Sequence, residues 1–525
     1  MIAASLVLAG SCAPVSPGSI TGTAAPYDVV EAEKTLAFAY SSIVERHLER
    51  VTAAEIALEG MRGLGSIDPE VGISRLDGRV LLSASDRVVA EYPAPAEDDT
   101  RAWARLTVTV ALEARGVSHQ VKDAQLEKVY EAVFDATLAK LDVFSRYAGG
   151  KEAREHRASR NGFGGIGIKF DIVDGEPKVI EVMEGSPADL AGVKLNDVIT
   201  RIENQVVREW GRPEISNRLR GPVSSDVALG LRRGTSQLSV SMRRSLIVPP
   251  TVTTTMNGTT AEFKITGFNQ RTAASLASEL KQARAKGGVK GVVLDLRGNP
   301  GGLLDQAVAM ADIFMTEGPI VSTKGRHPSA SQYFEARSGD GGEDLPVVVL
   351  VDGKSASAAE IVAAALQDAG RAVVIGTNSY GKGTVQTVLR LPNDGEMTLT
   401  WSRFLTPSGY ALHGLGVLPT ICTADDKATP GGVMDGFIHV ALPAPVTGDL
   451  VRWRHAKLEE TDLRKQLRGT CPSSKHGDAR IDLDLAERLL SDQTLYSRAL
   501  SMSAPVAQPY PAEARRSSSM QQVRQ

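Results

Sequence analysis

Apolar residues recur at three- and four-residue spacing in VVEAEKTLAFAYSSIVERHLERV, which begins at Val29, and again in LEKVYEAVFDATLAKLDVF, which ends at Phe144. That period puts them on one face of a helix, so the stretch from Val29 to about Gly149 is predicted helical. Between the two runs, Gly72 to Tyr92 is shorter and mixed, and predicts a small hairpin. No cluster of catalytic residue types falls in this region, and its expected role is a helical cap or a dimerisation arm. From Asn161 to about Leu246 the pattern turns to glycine and β-branched residues, with short strands between turn signals and one helix near Pro213–Leu219. From Pro250 to about Cys422, strands and helices alternate. VKGVVLDLRG, LPVVVLVDG and RAVVIG are apolar runs of the kind buried on both faces of a sheet, and LLDQAVAMADIFM and AAEIVAAALQD read as helices between them. Such alternation predicts an α/β fold with a parallel or mixed sheet and crossover helices. The last hundred residues predict one helix, IDLDLAERLLSDQTLYSRAL, and a disordered Pro/Ser/Arg/Gln-rich tail from about Ser503.

These changes of pattern divide the chain into segments 1–26, 27–160, 161–247, 248–425, 426–502 and 503–525. A chain of 525 residues is too long for one core, and three or four units are expected. A net charge of −3 provides no basic field for nucleic acid, and no apolar stretch is long enough to span a membrane. No His/Cys/Glu group has metal-ligand spacing, so neither metal nor cofactor is expected. The start, IAASLVLAG followed by Ser11-Cys12 and small residues to Pro26, has the apolar run and cleavage region of a secretion signal without its basic beginning. LAGSC also resembles the lipobox of bacterial lipoproteins, with Ala9 where Leu or Val is usual; lipidation would then fall on Cys12. Export to the periplasm or cell envelope is expected, with a lipid anchor and a plain cleaved leader both open. Cys422 and Cys471 are the two remaining cysteines, and a disulfide and two buried thiols both stay open.

Three segments carry chemistry. In VVVLVDGKSASAAEIVAAALQD, a buried strand ends, a loop of small residues follows, and a helix is predicted from about Ala358. Ser357 thus stands at a helix N-terminus, where free N–H groups favour developing negative charge, although an ordinary capping serine also stands there. RAVVIGTNSYGKGTVQTVLRL puts Lys382 on a glycine-flanked turn after the next strand, and two consecutive crossovers bring those strand ends to one edge of the sheet. A lysine acts as a base only when burial strips its proton near neutral pH, and no acidic residue flanks Lys382 in its segment. GTNSYGK also fits the start of a phosphate-binding P-loop. However, Gly383 follows where Ser or Thr is needed to hold magnesium, and TVQTVLRL reads as a strand where the P-loop opens a helix. In VVLDLRGNPGGLLDQAV, the glycines after Asn299-Pro300 expose backbone N–H groups ahead of a helix, as an oxyanion hole requires.

The segment from Asn161 to Leu246 resembles a PDZ domain, most specifically in SPADLAGVKLNDVI, where Asn196 replaces the usual Gly. The resemblance implies that Gly165, Ile166, Gly167 and Ile168 form the loop that takes a peptide's terminal carboxylate. Ile215 and Leu219 would face the groove, and Arg220 would relay binding to the active site, unless it is a plain surface arginine. DLRGNPGG, SASAAE and GKGTVQ, in that order behind such a module, resemble the carboxyl-terminal processing peptidases, PDZ-containing serine proteases of family S41 with a crotonase-like core; LAKLDVFSRYAG resembles the stretch preceding their PDZ domain. The resemblance implies Ser357 as nucleophile, Lys382 as general base and Gln386 as the residue that orients it. Gly302 and Ala358 would form the oxyanion hole, with Gly301 as an alternative to Gly302. Ala359 stands where the family often has a second serine, and Ser355 is not the nucleophile. His413 reads as part of a structural strand and loop rather than as a base, and Asp295 with Arg297 as a structural pair. The implied activity is endopeptidase cleavage of exported proteins bound by their C-termini, through an acyl-enzyme. An adaptor or activating partner and a homo-oligomer are expected. The rival readings are a silent PDZ scaffold and an enzyme held inactive until a peptide or partner aligns the dyad.

Overall fold

The computed structural model describes residues 28–337, 341, 342, 344–424, 432, 444–475 and 479–503. The leader with Ala9 and Cys12, and the tail beyond Ser503, lie outside the described residues.

The N-terminal region packs helices Val29–Arg46, Ala53–Arg62, Thr100–Val117 and Leu126–Ala139 around one core that includes Tyr40, Ile56, Trp103 and Phe134. Their starts are set locally: Asp28 accepts from the Val30 and Glu31 N–H groups, and Thr52 with Glu55 forms a reciprocal cap. Between them stands a three-stranded antiparallel sheet, Val71–Leu76, Arg79–Ala84 and Arg87–Pro93, rather than a single hairpin. The third strand exists because Ser85 and Asp86, both at positive φ, make a second tight turn in SASDR. This core also takes in Leu391, Met397 and Leu399 from the segment after Lys382, so the helical region is not a detached arm.

A strand pair, Phe163–Gly165 with Ser245–Ile247, forms the neck of the next module. Beyond it lies an antiparallel sheet in the order Ser236–Arg243, Asp226–Arg233, Val198–Ile202, Glu176–Val182, Ile168–Val173, with the helix Arg212–Leu219 packed on its core. The polar helix Gly150–Asn161 leads into the neck, and two of its arginines, Arg157 and Arg160, clamp the buried carboxylate of Glu396 at 3.0 and 2.7 Å.

The central sheet runs in the order Val252–Asn257, Thr260–Ile265, Gly291–Asp295, Val347–Val351, Ala372–Gly376, Ile421–Cys422, parallel after its first pair. All five residues of Val347–Val351 are buried, and they alternate between two cores. Val347, Val349 and Val351 face the helices Thr272–Ala285, Leu304–Asp312 and Ala358–Asp368, while Val348 and Leu350 face Leu485, Leu489 and Tyr496 of the C-terminal extension. Each such side chain contributes roughly 1.5–3 kcal/mol on burial, which explains the unbroken apolar run. A second, antiparallel sheet joins Gln332–Glu335, Pro319–Gly325, Glu396–Leu405 and Thr384–Arg390, and Arg146–Ala148 from the N-terminal region also pairs with Glu396–Leu405.

The C-terminal extension departs from the single helix read in the sequence. It has helices Ala444–His455 and Thr461–Arg468, and the long apolar pattern splits into Ala479–Ser491 and Gln493–Ser503. Asp492 divides them by accepting from the Thr494 and Leu495 N–H groups, capping a new helix where the old one ends. Cys422 and Cys471 are joined as a disulfide.

Candidate active site

Three turns meet at one edge of the central sheet. The first follows strand Gly291–Asp295, whose end is braced by ion pairs of Asp295 with Arg297 and Lys264, at 2.8 and 3.0 Å, and of Arg297 with the buried Asp482 at 3.1 Å. Asn299 then turns the chain: its Oδ1 accepts from the Gly301 N–H at 2.8 Å. That bond already occupies the Gly301 N–H. Gly301 (φ +101°) packs so closely that a Cβ would lie 2.9 Å from Ser357 Cβ, and at Gly302 (φ +149°) a Cβ would lie 2.1 Å from the Phe268 carbonyl oxygen. Among the described residues, the N–H groups of Gly302 and Ala358 donate to no protein acceptor.

The second turn carries Ser357, the residue before the helix Ala358–Asp368. Ser357 has φ +55° and ψ −115°, a strained conformation for a residue with a Cβ. Ser355, two residues earlier, is fully buried and donates to the Leu296 carbonyl at 2.9 Å, which makes it a structural link between the first two turns.

The third turn holds Lys382. The acid missing from its own segment arrives through space: Glu360, fully buried in the helix after Ser357, accepts from the N–H of Ser357 at 2.8 Å and of Lys382 at 2.9 Å through Oε2. Its Oε1 accepts from the Gly381 N–H at 2.6 Å and the Ser379 hydroxyl at 2.5 Å. Complete burial raises the Glu360 carboxyl above the usual carboxylate range, against the pull of these four donors. One side chain therefore ties the serine turn to the lysine turn. Glu360 is the last residue of SASAAE, but a Glu three residues into a helix reads as part of a cap, and only its burial distinguishes it.

Burial lowers the Lys382 amine from the ordinary lysine range, and repulsion from Arg146 adds to this; Glu360 and Asp142 oppose it. Its Nζ stands 5.2 Å from the centre of the Phe144 ring, which packs edge-on against His413 at 6.1 Å. No hydrogen bond joins Ser357 Oγ to Lys382 Nζ, and Gln386 makes none to Lys382; its Nε2 donates to the hydroxyls of Thr384 at 2.9 Å and Thr400 at 3.3 Å. Burial lowers the His413 imidazole, which is bonded to neither Ser357 nor Lys382. A phosphate loop does not fit here: a Cβ at Gly383 would lie 2.0 Å from the His413 backbone nitrogen, and Thr384–Arg390 is a strand.

The N-terminal region, read in the sequence as free of catalytic residues, reaches this site with Asp142, Phe144 and Arg146. The stretch LAKLDVFSRYAG contains all three, but its resemblance to the segment before a PDZ domain assigns them no role, and their partners Thr400 and Lys382 lie more than 230 residues away.

In the PDZ-like module, Gly165, Ile166, Gly167, Ile168, Leu219 and Arg220 line a groove of about 420 Å³. Ile215 does not: it is fully buried in the module's core, and Ser216 takes the place read for it. Arg220 lies over the Phe163 ring at 4.1 Å, at the neck. Ile247, Pro249 and Pro250 close the other side, and the Pro249 carbonyl accepts from Asn269 at 2.8 Å.

The family model described as peptidase family S41 matches residues 259–423, and a PDZ domain model matches 178–233. A carboxy-terminal-processing protease of Bartonella bacilliformis is 37% identical over 301 residues, covering 56% of this chain and 69% of that protein. A probable CtpA-like serine protease of Staphylococcus aureus is 32% identical over 308 residues, covering 58% of this chain and 62% of its own length. The photosystem II D1 C-terminal processing protease matches over 74% of this chain and 92% of its own at 22% identity, with a TM-score of 0.38. Sequence matches across both the PDZ-like module and the sheet edge that gathers Ser357, Lys382 and the Asn299–Gly302 turn place this chain in peptidase family S41, among the carboxy-terminal-processing proteases.

Proposed function

We propose that the chain is a serine endopeptidase that takes substrate C-termini in its PDZ groove and cleaves with Ser357, Lys382 and Gln386. The observation that carries this reading is the buried Glu360 carboxylate, which holds the backbone of Ser357 and of Lys382 within 3 Å of one oxygen, beside an amine whose pKa burial has lowered. The neutral Lys382 amine takes the Ser357 hydroxyl proton as Oγ attacks the scissile carbonyl. The oxyanion forms against the Gly302 and Ala358 N–H groups. Lys382 then gives the proton to the departing amine, and water, activated the same way, releases the acyl group from Ser357. Gln386 orients the lysine. Apolar walls at Ile166, Ile168 and Leu219 suit an apolar terminal side chain, with the carboxylate at the Gly165–Gly167 loop.

Ser357→Ala and Lys382→Ala should each lower casein cleavage by at least about 10³-fold with unchanged circular dichroism. Retained activity in Lys382→Ala overturns the mechanism. The missing hydrogen bond between Ser357 Oγ and Lys382 Nζ favours a second reading, in which the dyad closes only when a tail or partner binds. A peptide ending in an apolar residue, added in trans, should then raise cleavage of a tailless substrate. The disulfide supports an exported location, the cell envelope or periplasm.

A further inference from the structure

We propose that Asp142 and Phe144, contributed by the N-terminal region, are positioning residues for this site: Asp142 sets which way the Gln386 amide faces, and Phe144 shields the Lys382 amine from water. The inference rests on the reading of Lys382 as base.

The Asp142 half is an argument about hydrogen-bond polarity. Asp142 is held as an acceptor by the N–H groups of Phe144 at 2.7 Å and Ser145 at 2.9 Å, the Ser145 hydroxyl at 2.7 Å, and His47 Nε2 at 3.2 Å. An ionised carboxylate has no proton to give. The Thr400 hydroxyl, 3.0 Å away, therefore donates to it, which leaves the Thr400 oxygen to accept. Gln386 answers with its Nε2 at 3.3 Å and places the other amide hydrogen on Thr384 at 2.9 Å. With both amide hydrogens committed, the carbonyl end of Gln386 is the end left to accept from the lysine. Thr400 is held a second time, since its N–H donates to Ser145 Oγ at 3.1 Å. The turn 142–145 thus fixes a chain of donors that ends at the third member of the proposed triad.

Phe144 acts on the lysine itself. Lys382 Nζ stands over its ring, 5.2 Å from the centre, and the His413 ring packs edge-on against it at 6.1 Å. The charged groups that face the amine are Arg146 on the following strand, Glu360 in the helix after Ser357, and Asp142 in the turn. A ring face attracts an ammonium, which favours the protonated form, whereas excluding water disfavours it. Desolvation shifts a buried lysine by up to several pH units and outweighs a contact of roughly 1–2 kcal/mol. Removing the ring therefore makes the base harder to deprotonate.

The pH dependence of kcat/KM in the full chain separates positioning from mere structural support. Phe144→Ala should move the rising limb up by about one pH unit, and Phe144→Leu, apolar again, should move it back. Thr400→Val, which leaves the Asp142 turn intact, should lower kcat roughly 10- to 100-fold with KM nearly unchanged. Asp142→Asn should match it, and the double variant should be no worse than either single one. If Asp142→Asn fails to fold by thermal denaturation, Thr400→Val still decides. An unmoved limb in Phe144→Ala, or a wild-type kcat in Thr400→Val, overturns the proposal. Lys382→Ala serves as the control: if it is inactive while those variants behave as wild type, only this inference falls. If Lys382→Ala keeps activity, the base assignment falls with it.

Discussion

At the residue scale the site depends on two ionisable groups moved in opposite directions by the same burial. Glu360 accepts from four donors in pairs, two on each oxygen. In Glu360→Gln, one of those pairs would face an NH2 that cannot accept. We expect a loss of about 3 kcal/mol in urea unfolding, together with loss of cleavage. As the proposed base, Lys382 works only when neutral, so activity should rise with pH as its proton leaves. Because burial depresses that ionisation, the rising limb of kcat/KM should lie below the ordinary lysine range. A limb centred at the ordinary lysine pKa would contradict this, and a titration of kcat/KM with a fluorogenic peptide reads it directly. Ser357, Lys382 and Gln386 were each legible as residues in motifs. Glu360 also stands in a motif, but its role is not legible there, because its hydrogen-bond partners lie 21 and 22 residues further on at Gly381 and Lys382.

At the scale of elements, close approach explains more than propensity does. Gly383 lies where the strand Thr384–Arg390 leaves the lysine turn, and its α-hydrogen faces the His413 backbone. Gly383→Ala should push these segments apart at a cost of about 2 kcal/mol, seen as a lower urea midpoint, and should displace Lys382 enough to reduce cleavage. The apolar runs of the central sheet were readable because burial on both faces leaves no polar position to interrupt them. The split of the last helical run at Asp492 was not, since the apolar stripe continues across the break in Tyr496 and Ala499 while the backbone restarts. The hairpin read at Gly72–Tyr92 became three strands for a similar reason: Ser85 and Asp86 turn the chain without the Gly or Pro that signals a turn.

On the scale of the whole molecule, the C-terminal extension supports the lysine turn from behind. The Asn378 N–H donates to the Cys471 carbonyl at 3.1 Å and its Nδ2 to the Arg468 carbonyl at 2.7 Å, while Arg468 itself donates to the Ser379 carbonyl at 3.1 Å. The Cys422–Cys471 bond closes a loop of 49 residues. On the chain-entropy account, its removal in the Cys422→Ala/Cys471→Ala variant should cost about 4 kcal/mol of stability, and reductant should bring wild type to the same urea midpoint. Midpoints that are equal with and without reductant would contradict this.

Sequence alone determined the α/β class, the PDZ-like module and the order of the three chemical turns. These rest on local signals: hydrophobic period, glycine at forced turns, and short motifs whose residues are neighbours in the chain. The tertiary structure alone decided which groups surround them. It brought Glu360 to the turns of Ser357 and Lys382, led Asp142 and Phe144 in from the N-terminal region, tied the Gly301 N–H to Asn299 and buried Ile215. Each of these depends on desolvation or on a hydrogen bond. Neither can be read from a period or a short motif, even where the residue stands in one, as Glu360 does in SASAAE, because each partner by itself is an ordinary residue for its own element.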